Sequence, residues 1–213
     1  GDLFDFWFEY RHAIPRLHFR TLATLSQLSR QHPVHYFCGN HDFWLNSFIR
    51  DEIGIIIHPD EWVTDIQGKR FYIRHGDGLL KNDYGYRFLK RVLRNRFNIF
   101  LYRLLHPDVG VPLALSFSNK SRQAGEKKAH TYMDVDYREF AHRTIDQGYD
   151  CVVLGHTHWA AVEAYHSGYY LNPGFFGDDF TYIVVENGVP SVYQWDGANE
   201  RNWALSSPPG NPA

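Results

Sequence analysis

From Pro15 to Arg30 the apolar residues Leu17, Leu22, Leu25 and Leu28 recur at near-helical spacing, and Pro15 suits a first turn, so the pattern predicts a helix. The run "VHYFC" at Val34 to Cys38, ended by Gly39, predicts a short strand followed by a loop. Further strands are predicted at Ile53 to Ile57, Trp62 to Ile66 and Phe71 to Ile73, separated by Pro59 and by a turn at Gln67 to Lys69. The last of these delivers His75, Gly76 and Asp77 into a loop. About 70 residues then pass before the next clear strand, too many for a simple crossover, which predicts an inserted helical subdomain. Within it Phe88, Leu89, Val92, Leu93, Phe97, Phe100, Leu101, Leu104 and Leu105 fall on one stripe, with Arg87, Lys90, Arg91, Arg94 and Arg103 mostly off it. Asp136 with Glu139 forms a capping-box pattern ahead of Phe140, Thr144 and Ile145, and Gly148 can close that helix. "CVVLGHTH" predicts a buried strand ending in a loop. Beyond it, apolar runs alternate with Ser-Gly and Asn-Gly turns, which predicts antiparallel hairpins, and the tail "SSPPGNPA" is expected to be loosely held. No internal repeat is present.

Composition narrows the class. At 213 residues, 44% hydrophobic and 17% aromatic, the chain can bury one sizeable core. A formal net charge of -2 gives no argument for a nucleic-acid partner, so any basic function must come from a local patch, and the arginines of the insert supply one. The two cysteines, Cys38 and Cys151, each lie in an apolar run and are expected to stay reduced. No stretch is apolar enough to span a bilayer, and the N-terminus lacks the pattern of a signal peptide. The thirteen histidines are the compositional excess that changes the picture, because imidazole is both the commonest metal ligand and the usual proton carrier near neutral pH.

Four polar clusters each follow an apolar run: Asp2 and Asp5; Asn40, His41 and Asp42; His75 and Asp77; His156 and His158. Strand-end loops are where open α/β sheets place their sites, so the four clusters are expected to converge. Oxygen and nitrogen donors without thiolate suit Mn²⁺, Fe²⁺ or Zn²⁺ better than Ca²⁺ or a structural zinc. In "GHTH" the alternation of an extended segment would point His156 and His158 the same way, offering imidazoles to two neighbouring ions. Asp2 is the natural bridging carboxylate for such a pair, which would activate a water and clamp a phosphoryl oxygen. Singly, each motif has a plainer reading: a His-x-His at a core edge, an Asx turn in "GNHD", a helix cap at the start.

The order "GD…D", "GNHD", "HGD", "GHTH", spanning Gly1 to His158, resembles the calcineurin-like metallophosphoesterases. The resemblance implies an α/β, four-layer sandwich of two mixed sheets flanked by helices, with a two-metal site between the sheets. It implies Asp2 as bridging ligand, Asn40, His75 and His156 on one metal and His158 helping to hold the other. His41 corresponds to the leaving-group acid and Asp5 to the carboxylate that orients it. A single domain over 1–213 with a helical cap insert at about 79–133 follows from the same likeness. The family pattern also places a strand with an Asp-x-His pair before "GDLFDFW". A chain that begins at residue 1 is therefore expected to have a weak first-metal site and poor activity.

A narrower resemblance covers the insert. "GDLFDFW", "HGD" followed by "NDYGY", "SNKS" and "YMDV" resemble the UDP-2,3-diacylglucosamine hydrolases of lipid A synthesis. That likeness implies two divalent ions, Mn²⁺ in this reading, and hydrolysis of a nucleotide-sugar lipid to UMP and a diacylglucosamine 1-phosphate. It also implies a cytoplasmic protein peripheral on the anionic inner membrane, with Asp83, Tyr86 and Lys128 as substrate contacts. An apolar stripe flanked by arginines suits acyl chains and anionic lipid, though a cap helix packed on its own domain has the same period. Two positions depart from the narrower pattern, which carries arginine in place of His41 and glutamate in place of Asp5. Histidine there is the pattern of the wider family. The other readings are a phosphodiesterase or phosphatase acting on another lipid or nucleotide, and a metal-poor binding scaffold.

Overall fold

The computed structural model describes residues 1–45, 47–81, 84–126, 130–177 and 179–202, with 119–126 and 130–134 described by their backbone alone. The chain is α/β and forms two compact units, Gly1–Asp60 with Leu80–His130, and Glu61–Leu79 with Thr131–Ala213.

In the first unit a 3₁₀ turn, Arg16–His18, leads into α1 (Phe19–Ser29). That tighter turn rotates Leu17 off the expected stripe, and only Leu22 of the four leucines is fully buried. Two short strands, β1 (His35–Phe37) and β2 (Ile56–His58), pair in parallel with His35 opposite Ile56. The strand expected from Ile53 starts three residues later. Phe48–Glu52 forms a wide helical turn closed by Ile53 N to Phe48 O at 3.2 Å, and Gly54, at φ +83°, reverses the chain. Ile53 and Ile55 thereby enter the core with Phe4, Trp7, Leu22, Tyr36 and Ile49. The buried Glu9 carboxylate accepts from the backbone of Phe48 at 3.0 Å and of Ile49 at 3.4 Å, so that turn has a fixed start.

The insert is helical as expected, but the single stripe is cut. α2 (Tyr84–Leu93) stops and α3 (Arg96–Arg103) begins, because Asn95 Oδ1 accepts from Phe97 N at 2.9 Å and Asn98 N at 3.4 Å. α4 (Pro107–Glu126) follows, with Pro107 at its first position, where a missing N–H costs nothing. Its small and polar residues gave no periodic signal. Tyr102 of α3 packs against Phe8 at 4.7 Å and stacks on Trp44 at 5.5 Å between ring centroids. The insert is thereby tied to the segments that carry Phe8 and Trp44, and burial pushes the Tyr102 phenol above its ordinary range.

The second unit contains β3 (Trp62–Ile66), β4 (Lys69–Arg74), α5 (His130–Ile145), β5 (Cys151–Leu154), β6 (Ala161–Tyr165), β7 (Gly168–Asn172), β8 (Thr181–Glu186), β9 (Val189–Trp195) and β10 (Glu200–Asn202). Five strands form a mixed sheet in the order β3-β4-β5-β7-β6, with β4, β5 and β7 parallel at its centre. β8, β9 and β10 form an antiparallel sheet, so the expected hairpins are present. Phe71, Cys151 and Leu171 lie at the centre of the five-stranded core. The capping-box expectation is corrected: α5 already begins at His130, so Asp136 and Glu139 lie inside the helix rather than at its start. Its end is as expected, with Gly148 at φ +95° and its N–H on Ile145 O at 2.9 Å. Both cysteines are buried and unpaired, and burial pushes each thiol up to about 11, so neither offers a thiolate. Among the described residues no helix is long and apolar enough to cross a membrane.

Candidate metal centre

In the first unit two loops are locked together by one carboxylate. Asp42, fully buried, accepts from Gly39 N at 2.9 Å, Asp2 N at 3.2 Å and Phe4 N at 3.3 Å, and from the Tyr36 hydroxyl. These bonds satisfy the buried charge and hold the first loop against the "GNHD" loop. Burial, reinforced by the Asp42 charge, raises the Tyr36 phenol well above its usual range, so it remains a donor. Gly39 is required by proximity: a Cβ there would lie 2.0 Å from Asp2 Oδ1. Replacing Asp42 by alanine would leave several donors without their acceptor and is expected to cost about 3 kcal/mol of stability, read as a lowered midpoint in urea unfolding. An unchanged midpoint would contradict this account of the loop.

The lock presents Asp2 in the left-handed region at φ +58°, with Oδ1 accepting from His41 N at 2.8 Å. Asn40 and His41 are half-buried beside it. The His41 ring points its Nδ1 at Ser118 of α4, 2.8 Å from Oγ. Arg94, at the end of α2, donates to Gly39 O at 3.4 Å and lies over the Phe43 ring at 5.0 Å. Asp5 is exposed on the first loop, where its charge acts on His18, whose imidazole burial holds below its ordinary value.

In the second unit β4 and β5 are parallel neighbours in register, Arg74 opposite Leu154, so both leave the sheet at the same end. The residues that follow are His75 and His156. Their ring nitrogens, His156 Nδ1 and His75 Nε2, are 3.3 Å apart, and Gly155 N donates to His75 O at 2.9 Å. Two nitrogens each about 2.1 Å from one ion at a tetrahedral angle lie roughly 3.4 Å apart, so the pair fits joint ligation of one divalent cation. The loop below is held by Tyr137 of α5, whose hydroxyl donates to Gly76 O at 2.6 Å. Gly76, at φ +107°, leaves no room for a side chain, since a Cβ would meet the Tyr137 ring at 2.8 Å.

The "GHTH" loop departs from the extended alternation expected of it. His156 and His158 are both left-handed, at φ +66° and +61°, while the intervening Thr157 is buried and accepts from Asn172 Nδ2 at 2.7 Å. Backbone conformations of this kind cost free energy and persist where surrounding structure imposes them, here through the Thr157 anchor. His158 stacks on Phe175 at 4.5 Å between ring centroids, with the rings 12° from parallel. Asp77 is buried behind the loop. Tyr86 is half-buried on α2, and Asp83 and Lys128 lie outside the described residues. Tyr137, Phe175 and Asn172 carry no spacing signal in the sequence. Ser118 opens the "SNKS" run, whose pattern alone gives its hydroxyl no role.

Imidazoles set for one cation at the ends of adjacent parallel strands suit a metal that activates water against a phosphoryl group. The donors of this pair fit a divalent metal, as a metal-dependent hydrolase requires. It is 34% identical over 175 residues to UDP-2,3-diacylglucosamine hydrolase of Porphyromonas gingivalis, covering 74% of this chain and 67% of the relative. The enzymes of that name from Pectobacterium carotovorum and Edwardsiella ictaluri are 32% and 30% identical over 163 residues, 76% of this chain and 68% and 62% of theirs. The chain belongs to the UDP-2,3-diacylglucosamine hydrolase family. It spans about two thirds of the length of these curated relatives, from 62% to 68%. No family model matches it. Among solved structures it is similar to an archaeal phosphodiesterase (16% identity, 86% and 76% of the two chains, TM-score 0.34) and to zinc-complexed Vps29 of Entamoeba histolytica (14%, 92% and 92%, TM-score 0.36).

Proposed function

We propose that the chain hydrolyses UDP-2,3-diacylglucosamine, adding water across the pyrophosphate to give UMP and 2,3-diacylglucosamine 1-phosphate. The observation that carries the hydrolytic chemistry is the 3.3 Å spacing of the His75 and His156 nitrogens, and family membership supports the substrate. Asp2 would bridge two ions, with Asn40, His75 and His156 on one and His158 on the other, and Mn²⁺ suits this mixed set of hard and imidazole donors. When bound, such ions supply Lewis-acid stabilisation of phosphoryl oxygen and acidify a water.

The remaining work falls to this chain's own residues. As water oxygen bonds to one phosphorus and the bond to the bridging oxygen breaks, His41 gives that departing oxygen a proton. Asp5 is the first-loop carboxylate that the resemblance pairs with His41, but the His41 Nδ1 position is held by Ser118 Oγ at 2.8 Å. Asp83, Tyr86 and Lys128 contact the substrate. The insert presents Phe88, Phe97 and Leu104 about two-thirds exposed, at 70%, 65% and 68%, on a segment rich in arginine. That surface suits acyl chains and an anionic leaflet, which supports reading the protein as a peripheral enzyme on the cytoplasmic face of the inner membrane.

The purified full-length protein, stripped by chelator and reloaded, should release UMP from UDP-2,3-diacylglucosamine only when metal is restored, with Mn²⁺ most effective. Histidine at position 41 favours the second reading, a broader phosphoesterase. Cleavage of simple phosphodiesters with no action on the lipid nucleotide would establish that reading in its place.

A further inference from the structure

The His41 ring is held from the cap. Ser118, buried on α4 with 7% exposure, sets its Oγ 2.8 Å from His41 Nδ1, and a hydroxyl can accept from or donate to that nitrogen. The backbone of His41 is fixed separately, its N–H on Asp2 Oδ1 at 2.8 Å. With main chain and Nδ1 both engaged, one ring nitrogen remains to meet substrate, Nε2. Arg94 ties the end of α2 to Gly39 O, so two insert helices reach the same short loop.

From this geometry we infer that Ser118 is a positioning residue for His41: the cap hydroxyl fixes the ring so that Nε2 faces the departing oxygen. The inference rests on the reading of His41 as leaving-group acid. When Nε2 gives up its proton to that oxygen, the Nδ1 proton stays where Ser118 Oγ accepts it, and the ring ends neutral. A hydroxyl orients without adding negative charge, unlike the carboxylate that a family likeness would place behind the ring. The acid is therefore completed by the segment that also presents the exposed apolar surface. Catalytic competence then requires an intact α4.

Steady-state kinetics on UDP-2,3-diacylglucosamine with Ser118→Ala, Ser118→Thr, His41→Ala and the Ser118→Ala/His41→Ala pair tests this. Ser118→Ala should lower kcat about 10-fold with KM within about 2-fold, Ser118→Thr should restore most of the rate, and the pair should be no slower than His41→Ala alone. The ¹⁵N shifts of the His41 ring should also move in Ser118→Ala, reporting a lost contact at Nδ1. Raised KM with unchanged kcat would make Ser118 a substrate contact and overturn the proposal, as would a further loss of rate on adding Ser118→Ala to His41→Ala. A full-rate His41→Ala would instead remove the underlying acid role, and so fail separately.

Discussion

His41→Ala is expected to lower kcat on UDP-2,3-diacylglucosamine by about 10² to 10⁴-fold, the range that a positioned proton donor contributes. Metal content, measured by elemental analysis, should stay near that of the parent protein, because in this account the His41 side chain is no ligand. Its ring is engaged by Ser118, and its backbone N–H donates to Asp2 Oδ1. The loss should shrink on substrates whose leaving group needs no proton, such as p-nitrophenyl phosphodiesters. Equal losses on good and poor leaving groups would argue that the imidazole stabilises charge rather than transferring a proton. Full activity on every substrate would end the catalytic assignment.

The second large effect is at His156. Alanine would confound two changes, since His156 is left-handed and alanine is strained there, whereas asparagine tolerates that conformation. His156→Asn should keep the fold and lose the imidazole that lies 3.3 Å from His75 Nε2. Metal affinity is expected to fall at least about 100-fold, read by titration with Mn²⁺, and turnover to fall with it. Excess metal should recover part of the rate. Unchanged affinity would show that His156 does not hold an ion.

How much of this was legible in the residues depended on what set each feature. The strands at Trp62–Ile66 and Cys151–Leu154 were readable because half or full burial imposes a short apolar pattern. The hairpins followed from their turn residues, and the insert from the distance between strands. Where a single side chain decides the backbone, periodicity misled: Asn95 cuts one apolar stripe into α2 and α3, and the turn before Gly54 delays β2. α4 was invisible because its sequence, small and polar residues with Pro112 inside, makes no periodic apolar pattern. The candidate site residues stood out as motifs, because carboxylate, amide and imidazole side chains at strand ends are chemically distinctive. Their support did not: Asp42 as the knot between loops, Tyr137 beneath Gly76 and Ser118 behind His41 make contacts across 38, 61 and 77 residues. The "GHTH" loop shows the same limit, since the buried Thr157 anchor turns an expected extended segment into two left-handed residues.

Hydrolysis of the pyrophosphate in a diacylated nucleotide sugar is tested by a product balance. Metal-loaded full-length protein is incubated with UDP-2,3-diacylglucosamine, and both products are quantified by mass spectrometry. UMP and 2,3-diacylglucosamine 1-phosphate should appear in equal amounts, at a rate abolished by chelator and sharply reduced in His41→Ala. Intact substrate under conditions in which the same preparation cleaves a simple phosphodiester would contradict the account.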